Sequence, residues 1–294
     1  MWEKNVETFL ECESTYEDAK IVLFGAPFDS TTSYRPGARF GSSAIRHESY
    51  GLETYSPMLD RDLSDIKVFD GGDLELPFGS TEGALSAIEK TAGGIFADGK
   101  LPVLLGGEHL VTLGAVRATA WHHPDLHIIH FDAHADLRDE YLGVQLSHAS
   151  VIRRCHDLLG DGRIFQFGIR SGDRAEFRWA AEGHTKLQKF DFEGLPGIVS
   201  DLAKRKVPVY LTIDLDVLDP SVFPGTGTPE AGGVSFQALH DAMRTVFEGD
   251  EKKKGGCNVV GCDLVELAPP LDPTGASTAA ACKMVRELLL MAAQ

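Results

Sequence analysis

Hydrophobic positions in this chain fall into two alternating patterns. Short, nearly unbroken apolar runs bounded by Gly, Pro or Asp read as buried strands. There are eight: Lys20–Pro27, Asp65–Asp70, Pro102–Gly106, Leu126–Phe131, Arg163–Ile169, Lys186–Phe190, Val207–Ile213 and Cys257–Val265. Between most of them lie segments with helical spacing. Thr81–Ala97 is one, with Ser80 or Thr81 as its N-cap and Gly99 as its stop. A second runs from Leu110 to Ala120 after Gly107. A third opens at Ser235 and lines up Phe236, Leu239, Met243, Val246 and Phe247 on one face. The last is Ala276–Ala293. Strands alternating with helices predict an α/β fold with a mostly parallel sheet covered on both faces. No linker or internal repeat breaks the pattern, so residues 1–294 read as a single domain. The stretch Glu251-Lys252-Lys253-Lys254-Gly255-Gly256 reads as a solvated loop before the last strand.

In open parallel sheets the site lies beyond the carboxyl ends of the strands. Here those ends carry Gly106-Gly107-Glu108-His109, Asp132-Ala133-His134-Ala135-Asp136, Gly168-Ile169-Arg170, Asp214-Leu215-Asp216 and Asp263-Leu264-Val265-Glu266. Residues two apart near a strand end point to the same side, so Asp132, His134 and Asp136 converge, as do Asp214 and Asp216. So many carboxylates repel unless a cation sits among them. Six candidate ligands result: His109, Asp132, His134, Asp136, Asp214 and Asp216. Four carboxylates with two imidazoles and no sulfur suit Mn²⁺, and also Fe²⁺, Co²⁺ or Zn²⁺. They exceed what one catalytic ion needs and suit two, about 3.5–4 Å apart, sharing an activated water.

The plainer reading is that aspartates at strand ends cap helices or close turns. It accounts for either segment singly and less well for both. A calcium loop fails, because the position that needs Gly is Asp219 counting from Asp214 and Leu137 counting from Asp132. His130 sits within its strand and reads as a core or supporting residue. His122, His123 and His127 are expected to be exposed in a Pro-containing loop.

Composition changes this picture little. The 294 residues are 43% hydrophobic and 24% charged, as in ordinary globular proteins. A net charge of −16 argues against nucleic acid and is compatible with a cationic small molecule. No apolar run approaches a membrane span. The start, Met1-Trp2-Glu3-Lys4-Asn5, lacks the order of a signal peptide, so the cytoplasm is expected. Five scattered cysteines without a C-x-x-C pair make a disulfide framework or thiolate zinc site unexpected, and Cys257 and Cys262 read as core residues.

The motif order extends beyond the ligands. Gly106-Gly107-Glu108-His109, Asp132-Ala133-His134-Ala135-Asp136, Ser147-His148, Asp214-Leu215-Asp216-Val217-Leu218-Asp219-Pro220 and Pro224-Gly225-Thr226-Gly227-Thr228-Pro229 together resemble the ureohydrolase family of arginases and agmatinases, from about Ile21 to the C-terminus. Within it, Ser33-Tyr34-Arg35-Pro36-Gly37-Ala38-Arg39-Phe40-Gly41 and Tyr55-Ser56-Pro57 look most like bacterial agmatinases. The resemblance implies an α/β/α sandwich on an eight-stranded parallel sheet, two Mn²⁺ per chain and a homotrimer or homohexamer. It implies His109 and Asp136 as terminal ligands of one ion, His134 and Asp216 of the other, and Asp132 and Asp214 as bridges. It implies His148 as a mobile proton carrier and Glu266 as the acid that holds the substrate guanidinium.

The chemistry is coherent. A guanidinium carbon is a poor electrophile, and a metal-bridging hydroxide is a strong nucleophile at neutral pH. Glu266 could bind two guanidinium N–H groups and fix the carbon over it. Asp136 could pass a proton to the departing amine, and His148 could relay protons near neutral pH. The loop Leu137–Ser147 lacks the Asn/Ser/Thr run with which arginases recognise an α-amino acid. Asp139, Glu140 and Tyr141 could instead receive an ammonium, which favours agmatine, with putrescine and urea as products. Guanidinobutyrate or another guanidino acid is the rival substrate, with Arg138 or Arg170 holding its carboxylate. A single-zinc, deacetylase-like amide hydrolase and a non-catalytic metal-binding protein are the remaining alternatives.

Overall fold

The computed structural model describes residues 7–250 and 253–293. The first residues, on which the absence of a signal peptide was argued, and Glu251-Lys252 lie outside them. Eight parallel strands form one sheet: β1 (Ile21–Gly25), β2 (Val68–Asp73), β3 (Leu101–Leu105), β4 (His127–Phe131), β5 (Ile164–Ile169), β6 (Lys186–Lys189), β7 (Pro208–Asp214) and β8 (Asn258–Val265). Each matches an apolar run of the sequence. All of β1, β4 and β5 is buried, whereas the edge strand β6 has no buried residue. Two short hairpins lie apart, Tyr55–Ser56 with Arg61–Asp62 and Gly249–Asp250 with Lys253–Lys254. Lys253 and Lys254, two of the six residues of the expected solvated loop, are therefore paired.

The strand order is β2-β1-β3-β8-β7-β4-β5-β6. The chain builds outward from β1, crosses from β3 to β4, builds outward again, and returns to fill the gap with β7 and β8. This places the carboxyl ends of β3, β8, β7 and β4 side by side at the point where the winding reverses, which is where such sheets hold ligands.

Among the described residues, eight helices cover the sheet: α1 (Gly41–Ser49), α2 (Thr81–Ala97), α3 (Val111–His122), α4 (Val151–Leu159), α5 (Arg174–Trp179), α6 (Leu195–Arg205), α7 (Phe236–Glu248) and α8 (Ala276–Ala292). Side chains alternate between two apolar cores. Leu23, Val103, Ile129, Leu211 and Cys262 face one core, with residues of α1, α6, α7 and α8. Val22, Leu104, Ile128 and Tyr210 face the other, with α2, α3 and α4. The result is a three-layer α/β/α sandwich, and strands buried on both faces explain the unbroken apolar runs. Ser80 and Ser235 cap α2 and α7 through their hydroxyls. Cys262 is buried and Cys257 half-buried, both as free thiols. His127 is buried at the start of β4 against Arg205, not exposed as its Pro-containing surroundings implied. No helix among the described residues is long and apolar enough to cross a membrane.

Candidate metal centre

The loop after β3 turns on Gly106-Gly107. A Cβ on Gly107 would collide with the backbone carbonyl of Phe28, so only glycine lets the chain turn there and deliver His109. His109 Nε2 lies 3.0 Å from Thr212 Oγ1, and that hydroxyl donates to Asp263 Oδ1 at 2.6 Å. With its proton committed to Asp263, Thr212 accepts from His109 Nε2–H, which assigns the tautomer from the network. That tautomer leaves the lone pair of His109 Nδ1 for a cation to take. This nitrogen is buried without a hydrogen-bond partner. It faces Asp132 Oδ2 at 3.0 Å, Asp136 Oδ2 at 3.1 Å and Asp214 Oδ2 at 3.3 Å. Four electron-rich atoms aimed at one point require a positive charge between them.

The second half of the cluster is similar. His134 Nδ1 lies 3.0 Å from Asp216 Oδ2 and 3.5 Å from Asp132 Oδ1. The capping reading of these aspartates also holds. Asp132 Oδ1 accepts from the His134 N–H at 2.6 Å, and Asp214 Oδ1 from the Asp216 N–H at 2.8 Å. Each carboxylate thus spends one oxygen on holding its own turn and aims the other into the cluster. His130 supports it from behind, with Nε2 2.8 Å from Asp132 Oδ2 and Nδ1 3.1 Å from Gln166. All six predicted ligands are therefore together, and Asp136, at φ +53°, adopts a left-handed backbone to join them.

The electrostatics record the crowding. Burial, then Asp132, raises the Asp136 carboxyl to about 7. Burial, with Asp216 and Asp132, pushes Asp214 well up. Burial disfavours charge on His109, but Asp132, Asp136 and Asp214 outweigh it and raise its pKa well above the ordinary value. The side chains are gripping protons where a cation would serve. The orphaned Nδ1 and the oxygen-rich, sulfur-free donor set fit hard-to-borderline divalent ions.

A cavity of about 250 Å³ opens over the cluster, lined by His134, Asp136, His148, Ser33, Tyr141, Asp173, Glu176 and Thr228 among others. His148 Nε2 meets Ser33 Oγ at 3.0 Å. Burial, then His134 and His109, depresses its imidazole to about 4, away from the neutral range expected from composition alone. Glu266 is buried at φ +67°, and its Oε1 accepts the His109 N–H at 2.8 Å. It does not itself line the cavity, but Gly227, next to the cavity residue Thr228, lies beside its Oε2.

Three expectations need correction. Arg170 cannot receive a substrate carboxylate, because its guanidinium is spent on the carbonyls of Gly168, Asp216, Val217, Leu218 and Glu230. Arg138 is tied to Asp173 at 3.0 Å and packs over the Tyr141 ring. Asp139 turns away to Arg154 at 2.8 Å and, with Glu140, lines a neighbouring cavity instead. Besides Asp136, the acids that do line the cavity over the cluster are Asp173 and Glu176, which sequence reasoning missed. It also missed Glu108. That buried carboxylate accepts Thr31 N–H at 2.9 Å, the Thr31 hydroxyl, and the Thr32 hydroxyl at 3.1 Å, while Thr31 Oγ1 accepts the His148 N–H at 3.0 Å. Arg35 ties the same loop to the carbonyls of Thr226 and Gly227.

A fold of this order with carboxylates and imidazoles at its reversal point defines a hydrolase of the arginase class. Residues 19–291 match the Arginase family model, and the chain belongs to the arginase family. It is 47% identical to an agmatinase of Bacillus cereus, over 97% of this chain and 96% of that protein. Among solved structures, a putative agmatinase from Clostridium difficile superposes with a TM-score of 0.90 at 50% identity, over 95% of this chain and 99% of that one. An agmatine ureohydrolase of Thermoplasma volcanium gives 0.87 at 33% identity, over 98% and 94%.

Proposed function

We propose that this protein hydrolyses agmatine to putrescine and urea, with His109 and Asp136 on one Mn²⁺, His134 and Asp216 on a second, and Asp132 and Asp214 shared between them. The observation that carries the metal assignment is the buried His109 Nδ1 facing three carboxylate oxygens. When bound, the ions would supply a water that ionises at neutral pH and neutralise charge developing in the reaction. The chain's own groups do the rest. Glu266, held by the His109 N–H, attracts the guanidinium and orients it by charge-assisted hydrogen bonds. Asp136 faces the same space and is placed to hand a proton to the departing amine. His148, at the cavity wall, carries protons between cavity and solvent.

The far end of the cavity favours an amine over a carboxylate. Asp173 and Glu176 line it, and Arg138, which could have held a carboxylate, is already paired with both. Agmatine presents an ammonium at that end, and several of the chain's relatives by sequence are agmatinases. We place the chain in the cytoplasm, in putrescine and polyamine biosynthesis, as a single-domain homotrimer or homohexamer. The test is a panel of agmatine, arginine and guanidinobutyrate with manganese-loaded protein, reading urea. Agmatine should be preferred over arginine by at least roughly 10²-fold in kcat/KM, because Arg138 is already paired and a carboxylate left without a partner there costs several kcal/mol. Comparable turnover of arginine, or preference for guanidinobutyrate, would overturn the substrate and leave the amidinohydrolase chemistry standing.

A further inference from the structure

A second cluster of metal-ligating side chains lies at the opposite rim of the sheet. His156 is near the end of α4, Asp161 is in the turn before β5, and His184 is just before β6. His156 Nε2 is 2.7 Å and His184 Nδ1 2.8 Å from the same Asp161 oxygen. One donor atom from each residue lies within 4.8 Å of the other two. These residues precede strands, whereas those of the catalytic cluster follow them. About one strand length, on the order of 15–20 Å, therefore separates the two clusters.

Local structure holds this corner in place. Gly160 and Gly162, at φ +80° and +78°, turn the chain on either side of Asp161. After α5 the helix widens to π spacing over Ala180–His184, with Gly183 at φ +103°, and this turn delivers His184. The Trp179 ring stacks on His184 with centroids 4.4 Å apart and meets His156 edge-on at 4.6 Å. One indole thus fixes both imidazole planes. The three side chains remain 14%, 65% and 32% exposed, in chain order, so an ion can reach them from solvent. None has a part in the reaction above.

We propose that His156, Asp161 and His184 form a second divalent-metal site, for a borderline ion such as Zn²⁺ or Ni²⁺. Two imidazoles and one carboxylate are a donor set that such ions favour, with the fourth position left to water. The nitrogen–oxygen separations must open to about 3.3 Å around an ion holding its ligands at ~2.0–2.1 Å. Asp161 can yield that distance, because its only side-chain hydrogen bonds among the described residues are to these two histidines. The bound ion would clasp α4 to the segment that leads into the exposed edge strand β6. It would thereby stabilise the folded chain by mass action.

The test uses full-length protein without a histidine tag, its catalytic centre first filled with excess Mn²⁺. Ni²⁺ is titrated at about pH 8, where protons compete less for imidazole. Saturable quenching of tryptophan fluorescence at micromolar Ni²⁺ is expected, with one added ion per chain by metal analysis. Zn²⁺ should raise the Tm of the same manganese-loaded protein. His184→Gln and Asp161→Asn should each weaken Ni²⁺ binding by more than about 10-fold and leave urea release unchanged. Should His184→Gln lower the Tm without metal, Asp161→Asn, which keeps the side chain's shape, decides the matter. Equal Ni²⁺ affinity in wild type and variants, or binding only at millimolar Ni²⁺, would show a hydrogen-bonded triad and overturn the proposal. An added ion that persists in the variants and depresses urea release would also overturn it, since that ion sits in the catalytic centre.

Discussion

Asp132 and Asp214 each do two jobs with two oxygens, one closing a turn and one facing the cluster. Replacing either with Asn keeps the turn acceptor and removes the charge. Asp132→Asn or Asp214→Asn should therefore leave the fold intact while abolishing both manganese binding and urea release. His148→Ala should cost less, about 10²–10⁴-fold in kcat, because water or buffer can carry protons in its place. Added imidazole should recover part of that loss. A His148→Ala enzyme as dead as the aspartate variants, and unrescued, would remove His148 from its role. Five of the six ligands were legible from their i, i+2 spacing at two strand ends, and His109 from the Gly106-Gly107 turn before it. Asp173, Glu176 and Glu108 were not, because their significance comes from partners 35, 39 and 77 residues away. Asp173→Asn should raise KM for agmatine severalfold with a smaller fall in kcat, since it acts at the far end of the cavity. A loss confined to kcat would contradict that placement.

At the level of elements, apolar runs revealed the strands because both faces of the sheet are covered. The sequence pattern singled out α2, α3, α7 and α8. It passed over α1, α4, α5 and α6, which are 9, 9, 6 and 11 residues long. Caps were better signals than propensity. Ser235→Ala should lower stability by about 1 kcal/mol, read by thermal or urea denaturation, by removing the acceptor for the Ala238 N–H. Asp219 gathers the loop beyond β7, accepting from Ser221 N and Oγ and from the Gly232 and Gly233 N–H groups. These bonds lower its carboxyl to about 2. A depressed folded-state value means that its stabilisation is complete above about pH 4, the ordinary carboxylate range, and is lost as pH falls through about 2. The stability difference between wild type and Asp219→Asn should therefore shrink across that window. A difference independent of pH from 5 to 2 would show that Asp219 does not hold the loop as a carboxylate.

For the whole molecule, the decisive feature is the return of β7 and β8 between β3 and β4. Composition and periodicity predicted a parallel sheet but could not order its strands. Only that order sets His109, Asp132, His134, Asp136, Asp214, Asp216 and Glu266 on adjacent strand ends. A surface of net charge −16 then favours the approach of a dicationic substrate, and raised salt should slow association more than turnover. The claim on which the account rests is that the shared carboxylates hold two ions and that both are needed. Urea release from agmatine, measured as Mn²⁺ is added to chelator-treated protein with bound metal counted in parallel, tests it most directly. Activity should rise with occupancy and level off at two manganese ions per chain. Full activity at one ion per chain, or two bound ions without urea release, would contradict it.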